Sequence, residues 1–592
     1  MQLQILDWSI IFLFFLTFIL IGVITSKKSG KNSKEYFLSG RNMPWWLLGI
    51  SMVATTFSAD TPNLVTNLVR EKGVSGNWSW WAFLLTGMFT VYLYSKLWRR
   101  SKVLTDLEFY EIRYSGKEAS FLRGFRAIYL GVFFNVMIMA SVCLAGIKIG
   151  GILLGLSPFE CIFYSSVVTV LYSTLGGLRS VIYTDLIQFF VAMLGSLWAT
   201  YYVVNLDEIG GLAQMLSHSN VVDKLDFFPS TSDMDQFIVV LIIPLAVQWW
   251  AVWYPGAEPG GGGYIAQRML SAKDEKNAIY STLLFNVTHY IIRPWPWILI
   301  ALSSLILFPN LGSIANAFPG VDQSIIGNDI AYPAMLSLLP TGLLGLVLAS
   351  LIAAFMSTIS SHLNWGASYI SIDFYKRFVK KDATEKEVVS VGKLSTVILM
   401  ALAGFVSLQL SDSLGAFNIL LQIGAGTGSI FLLRWFWWRV NAYSEITGMT
   451  VSFLIAIYFE WFHESFIGIP LKQHMELLIG IGITTFAWLL VTLLTKPTDK
   501  NKLIAFYNLI RPYGFGWSGF VKRHKIINMH HSGDSAMKDL LLVFLGVIMV
   551  YFALFGIGYV IYNQVTLGYI MLTLSIVSFL LTNYIMSFNR KD

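Results

Sequence analysis

The stretch Ala353-Ala354-Phe355-Met356-Ser357-Thr358-Ile359-Ser360-Ser361-His362-Leu363-Asn364 sets positions 354, 357, 358 and 361 at i, i+3, i+4 and i+7. That is one face of a helix, and three of its four residues are hydroxyls. A hard cation such as sodium takes several oxygen ligands, and hydroxyls with carbonyls supply them. The same spacing also suits close helix packing, with Ser and Thr bonded back to the i−4 carbonyl. Two further stretches bear on the choice. Gly49-Ile50-Ser51-Met52-Val53-Ala54-Thr55-Thr56-Phe57-Ser58-Ala59-Asp60-Thr61-Pro62 and Trp253-Tyr254-Pro255-Gly256-Ala257-Glu258-Pro259-Gly260-Gly261-Gly262-Gly263 each place Pro, Gly or small polar residues and an acid inside an apolar run. Non-helical backbone at membrane depth persists only where it lines a cavity. Carbonyls freed near Ala54 and Phe57, with the hydroxyl face, would make an oxygen cage.

The elements that must hold these residues are membrane spans. The chain has 592 residues, 55% of them hydrophobic and only 13% charged, against about 25% charged in a soluble protein. Cys143 and Cys161 lie in apolar runs and form no metal motif. The first apolar run, Leu6 to Ile24, has no basic leader or small-residue cleavage site and reads as a span. Hydropathy marks about 15 transmembrane helices, near 6–25, 44–69, 78–97, 124–153, 159–176, 181–204, 236–256, 278–307, 341–374, 390–410, 414–437, 442–459, 474–495, 537–562 and 565–586. With the N-terminus outside and the C-terminus cytoplasmic, all but Arg70, Lys72, Lys148, Lys224, Arg293 and Lys472 of the 41 Lys and Arg fall in or beside cytoplasmic loops. The net charge of +7 therefore follows membrane orientation and gives no reason to expect nucleic acid.

Three regions follow: 1–43 with one extra helix and a cytoplasmic loop, a ten-span core over 44–440, and 441–592 with four further helices. A cytoplasmic stretch near 496–535, basic and aromatic, is expected along the membrane surface. Dividing the core five and five puts a broken helix first in each half, the order expected of an inverted repeat. The outer loops 205–236 and 308–340 are sizeable. There is no P-loop and no soluble domain of enzyme size.

Four blocks carry a family resemblance: Tyr36-Phe37-Leu38-Ser39-Gly40-Arg41 followed by Pro44-Trp45-Trp46; Gly176-Gly177-Leu178-Arg179-Ser180-Val181-Ile182-Tyr183-Thr184-Asp185-Leu186-Ile187-Gln188; Gln267-Arg268-Met269-Leu270-Ser271-Ala272-Lys273; and the hydroxyl cluster continued by Asp373-Phe374-Tyr375. On these the chain, over about 30–440, resembles the sodium:solute symporter family, whose fold is of the leucine-transporter type. Within it the chain is similar to the sodium/sugar and sodium/sialic acid branch, with altered substrate-site residues.

The resemblance implies an all-α integral membrane protein with sodium as coupling ion. Its sodium site would use backbone oxygens of Ala54, Phe57 and Ala354 with the hydroxyls of Ser357 and Thr358. It also implies a possible second sodium at Asp185, Ser357, Ser360 and Ser361. The other reading of Asp185 is an interfacial acid paired with Arg179, since an acid within a span is costly unless paired or functional.

The expected substrate set is Thr56, Asp60, Ser79, Trp253, Tyr254, Glu258, Arg293 and Gln422. Ser79 stands where the family's sugar transporters carry a glutamate, Phe417 where they carry a glutamine, and Arg293 where they carry a lysine. A glucose-type site does not follow from such a set. Arg293 suits a carboxylate by a bidentate fork, or else snorkels or pairs, with Asp60 as one candidate. Asp60 suits an amine or a sugar hydroxyl, while Asp-Thr-Pro also reads as a helix N-terminus. Glu258 either lines the cavity or caps a half-helix. Trp249, Trp250, Trp253 and Tyr254 suit a flat substrate, an inner gate or an interfacial belt. His362 reads as a packed polar residue rather than a proton carrier.

The expectation is a non-enzymatic, multi-pass plasma-membrane protein, a monomer or weak oligomer in the bilayer. It would carry a small organic solute (a sugar, amino sugar or carboxylate) inward with sodium. The rivals are proton coupling on the same fold, a solute-gated channel or a sensor.

Overall fold

The computed structural model describes residues 3–29, 32–251, 258–321, 326–410, 424, 426–526 and 535–587. Among them there is no strand; Met43 and Ala272 form an isolated bridge. The elements that matter are α1 (Ile5–Ser29), α2 (Trp45–Thr56), α3 (Asp60–Lys72), α4 (Gly116–Leu154), α5 (Pro158–Val204), α6 (Gly263–Ser271), α7 (Glu275–Leu307), α8 (Leu343–Val379), α9 (Glu385–Ser407), α10 (Ala442–Ile467), α11 (Gln473–Leu494), α12 (Ala536–Ile561) and α13 (Val565–Ser587). Ten helices among the described residues are long and apolar enough to cross a membrane.

The centre is α8. Almost every residue from Leu343 to Ser368 is buried, and α1, α2, α4, α5, α6 and α9 all pack against it. A helix apolar all round belongs in an interior; α8 adds its hydroxyls on the side that faces α2 and α5. Its first turn leaves N–H groups without helical acceptors. The buried Asp7 of α1 supplies one, accepting from Gly342 N (2.7 Å) and Gly345 N (2.8 Å) through Oδ1.

The first core segment breaks between α2 and α3, where Phe57 has φ −85°, ψ 75°. Pro62 accounts for the position. It has no N–H to give and its ring collides with the carbonyl four residues back, that of Ser58. The stretch 159–176 and 181–204 forms one continuous element, α5, bent at Gly177 (φ 54°, ψ −157°). A Cβ there would sit 2.6 Å from the Tyr36 carbonyl oxygen, so only glycine fits.

This bend is where the sequence blocks converge. Arg179 donates to Ser39 O (3.0 Å) and pairs with Glu35 (3.2 Å), so it is not the partner of Asp185. Gln267 Nε2 donates to Phe37 O and to Asn364 Oδ1, both at 3.0 Å. The motifs therefore hold α6, α5 and the entry to α2 together around α8.

The helices beyond the core are fastened by buried polar links. Lys96 pairs with Asp539 of α12 at 2.7 Å, and Thr492 of α11 donates to Ser444 of α10 at 2.6 Å. The stretch expected along the membrane surface contains two short helices, Lys500–Ile510 and Phe515–Arg523, each packing one side on the protein. Their Phe506 and Trp517 are buried, with Trp517 Nε1 donating to Trp435 O at 2.8 Å. Aromatic side chains, more than the basic ones, decide its placement.

Asp7→Ala should remove both acceptors from the first turn of α8. We expect a loss of about 1–2 kcal/mol, read as a lower melting temperature of the purified protein.

Candidate functional site

The hydroxyl face of α8 meets the end of α2. Thr358 Oγ1 donates to the Thr55 carbonyl at 2.8 Å, one of the carbonyls that the break releases from helical bonding. Ala54 and Phe57 flank that residue, and the Ala54 carbonyl accepts only a tightened-turn bond from Phe57 N at 3.1 Å. Ser357 Oγ, one residue before Thr358, donates to Asp185 Oδ1 at 2.6 Å. Ala354 lies one turn below on the same face and is buried. Two hydroxyls and a set of underused carbonyls thus share one small volume, the donor set a hard cation requires.

Directly beside it is a second polar group. Thr56, the next residue after Thr55, accepts from Arg293 Nη1 at 3.0 Å and lies 3.2 Å from His289 Nδ1. The Arg293 guanidinium stacks over Phe57 and Trp297, 5.7 and 5.0 Å from their ring centroids. His289 lies in a widened π turn of α7, Thr288–Ile292, and Arg293 directly follows it. Pro294 and Pro296 follow it and supply no N–H, and π turns of this kind recur at functional sites. Asp60 opens α3 with Ala59 as the capping residue. Ser79 points elsewhere: its hydroxyl donates to Gly76 O (3.0 Å) and its carbonyl accepts from Gln248 (2.9 Å).

The other acid and hydroxyls form a closed network. Asp185 accepts from Ser51 and Ser357 and faces Arg268 Nη2 at 3.6 Å. Ser361 lies 2.8 Å from Thr55 Oγ1 and accepts from Arg268 at 2.6 Å. Ser360 turns its hydroxyl back to the Ser357 carbonyl at 3.1 Å. His362 Nδ1 bonds Asn135 Oδ1 at 2.6 Å, and Asn135 returns a bond to the His362 carbonyl, so this histidine is packed on both sides. Trp253, Tyr254 and Gln422, like Phe417, lie outside the described residues.

A broken helix whose carbonyls meet a hydroxyl face of a central helix is one arrangement found in ion-coupled carriers. The family model described as "Sodium:solute symporter family" matches residues 36–452. The chain belongs to the sodium:solute symporter family. It is therefore a multi-pass membrane symporter, and its coupling ion is sodium. It is 27% identical over 469 residues to a sodium/glucose cotransporter of Vibrio parahaemolyticus, covering 75% of this chain and 83% of that one. It is also 27% identical over 492 residues to sodium/glucose cotransporter 1 of Mus musculus, covering 76% and 71%. A solved structure of a sodium-coupled sialic acid symporter, substrate-bound and outward-open, shares the fold with TM-score 0.64. The identity there is 20%, over 84% of this chain and 99% of that one.

In this symporter Glu258 is held between two arginines. Its carboxylate pairs with Arg126 and Arg434, each at 3.0 Å. The same arginines approach Glu445 of α10 at 3.5 and 3.8 Å, and Tyr114 donates to Glu445 at 2.5 Å. All four charges are buried. Two buried cations thus pair with an acid expected to line the cavity or cap a half-helix. The glycine run after it turns the chain sharply, with φ of 87°, 71° and 52° at Gly260, Gly261 and Gly263. Asp106 then accepts from Gly263 N at 2.9 Å and starts α6.

Sequence reading did not single out His289, Arg268, Arg126, Arg434 or Glu445. For His289 a signal existed: it precedes Arg293 by one turn. For the others the signal is only their charge within apolar surroundings, which names no partner.

Glu258→Gln leaves two buried arginines short of countercharge, and we expect a loss of about 3–5 kcal/mol. The check is a fall in melting temperature or in folded yield, larger than that of Ser79→Ala, which severs only a local turn bond.

Proposed function

We propose that this symporter imports a small organic solute bearing a carboxylate or several hydroxyls, together with sodium, by alternating access. One observation carries the reading. The Thr55 carbonyl faces the cation side, bonded by Thr358, while the adjacent Thr56 side chain faces Arg293 and His289. A single unwound turn thus belongs to both groups. Sodium bound by Ala54, Phe57, Ala354, Ser357 and Thr358 would fix that turn, and with it the hydroxyl of Thr56 and the fork of Arg293 that receive the solute.

Coupling follows if sodium binds one arrangement of the broken segment more tightly than the other, because a ligand shifts an equilibrium only by its differential affinity. The gradient and membrane potential supply the drive. Arg293 sets the solute class: a planar guanidinium backed by Trp297 and Phe57 is suited to a carboxylate or to paired hydroxyls. Asp60 is the companion group for a hydroxyl or amine on the same solute.

The topology belongs to the same reading. Short apolar helices at Trp45–Thr56, Pro158–Leu171 and Met234–Ala246, the segmented run between Trp78 and Ser101 and the apolar span expected from sequence near 414–437 would bring the ten long helices to about fifteen crossings. Ten of these make the five-plus-five core, with the N-terminus outside and the C-terminus cytoplasmic by the placement of basic residues.

A thermal-shift screen of purified protein against acidic sugars, sugars and small carboxylates, in sodium and in potassium, tests this. A solute that stabilises in sodium alone supports symport; equal shifts in both salts would count against it. Thr358→Ala should raise the sodium concentration for half-maximal stabilisation about tenfold. Arg293→Gln should abolish the solute-dependent shift and keep the sodium-dependent one, separating the two groups.

A further inference from the structure

Asp185, Ser357, Ser360 and Ser361 are the oxygens that would hold a second sodium, and a cation already lies among them. Arg268, the sixth residue of α6, reaches in with a fully buried side chain. Its Nη2 donates to Ser361 Oγ at 2.6 Å and to Thr55 Oγ1 at 3.3 Å, and stands 3.6 Å from Asp185 Oδ2. Its Nε donates to Ser51 Oγ at 3.2 Å, and its Nη1 to Gln267 Oε1 at 3.1 Å. All three guanidinium nitrogens are used. Both Asp185 oxygens accept hydroxyls, one from Ser51 and one from Ser357.

The charges balance as well. Asp185 and Arg268 form a buried pair of net charge zero. A sodium added among them would bring an uncompensated charge into a site closed to water, which is costly. It would also need oxygens that the guanidinium and its hydroxyl partners occupy. Resting on the sodium-coupled reading above, we propose that Arg268 is a tethered cation standing in the second-sodium position, so that this symporter couples one sodium per solute. The arm links α6, which follows the second interrupted segment, to α2, α5 and α8. It thereby performs the bridging that a mobile ion would perform, without being transported. Arg268 is a positioning residue: it touches the Thr55 and Ser361 side chains behind the first cation site.

The test is the number of sodium ions bound, measured on the purified full-length protein with radioactive sodium and checked by the Hill slope of sodium-dependent stabilisation. The wild type should bind one, with a slope near one. Arg268→Gln should expose Asp185 to a second ion, moving the count to two and the slope above one. The double substitution R268Q/D185N removes both charges, avoids an unpaired buried acid and should return the count to one; Arg268→Lys should keep it at one. Two sodium ions on the wild type, or on the neutral double variant, would overturn the proposal, as would a count of one in a folded Arg268→Gln protein. A wild type that binds no sodium would sink the symport reading itself. Loss of the single ion in Ser357→Ala and Thr358→Ala identifies it as the one at the broken turn.

Discussion

A helix broken at membrane depth leaves carbonyl oxygens without donors, and the rest of this protein is arranged around those of Ala54 to Phe57. Lipid cannot satisfy them. The hydroxyl face of α8 does so in part, through Thr358 on the Thr55 carbonyl, and the proposed sodium would complete the set. The Thr55 carbonyl, which Thr358 reaches, and the Thr56 side chain, which Arg293 reaches, belong to consecutive residues of one turn, so order in one is order in the other.

Holding that turn requires rigid surroundings, and the buried charges provide them. Arg268 ties α6 to Ser51, Thr55, Asp185 and Ser361. Arg126, Arg434, Glu258 and Glu445 tie the second interrupted segment to α4 and to the first helix beyond the core. In a low-dielectric interior an ion pair is strongly directional, and an unpaired member is heavily penalised. Such links resist small deformations and break only together, which suits a carrier that exchanges two discrete arrangements.

The helices outside the core also acquire a physical role. Asp7 of α1 caps the central helix, Asp539 of α12 pairs with Lys96, and Glu445 of α10 joins the arginine cluster. Each contact lands on an element that carries or supports the broken turns. Between α11 and α12, Phe506 and Trp517 bury large aromatic surface against the rest of the protein.

Much was legible in the sequence, for local reasons. A membrane chain must show long apolar runs, a proline fixes where a helix opens, and a hydroxyl stripe at helical spacing shows its face; each depends on neighbours within a few residues. The break before Pro62 and the face of Ser357 and Thr358 were readable in this way, whereas 159–176 and 181–204 read as two spans and join in the fold through the bend at Gly177. Which charge meets which was not. Asp185 read as a second-sodium ligand or as a partner of Arg179, and only the folded chain brings Arg268, 83 residues away in sequence, to it. Glu258 read as a cavity acid or a half-helix cap, and only the fold brings Arg126 and Arg434 to it. Spacing along one helix is set by covalent geometry, whereas the partner of a buried charge is set by how helices pack, and that is decided only in the tertiary structure.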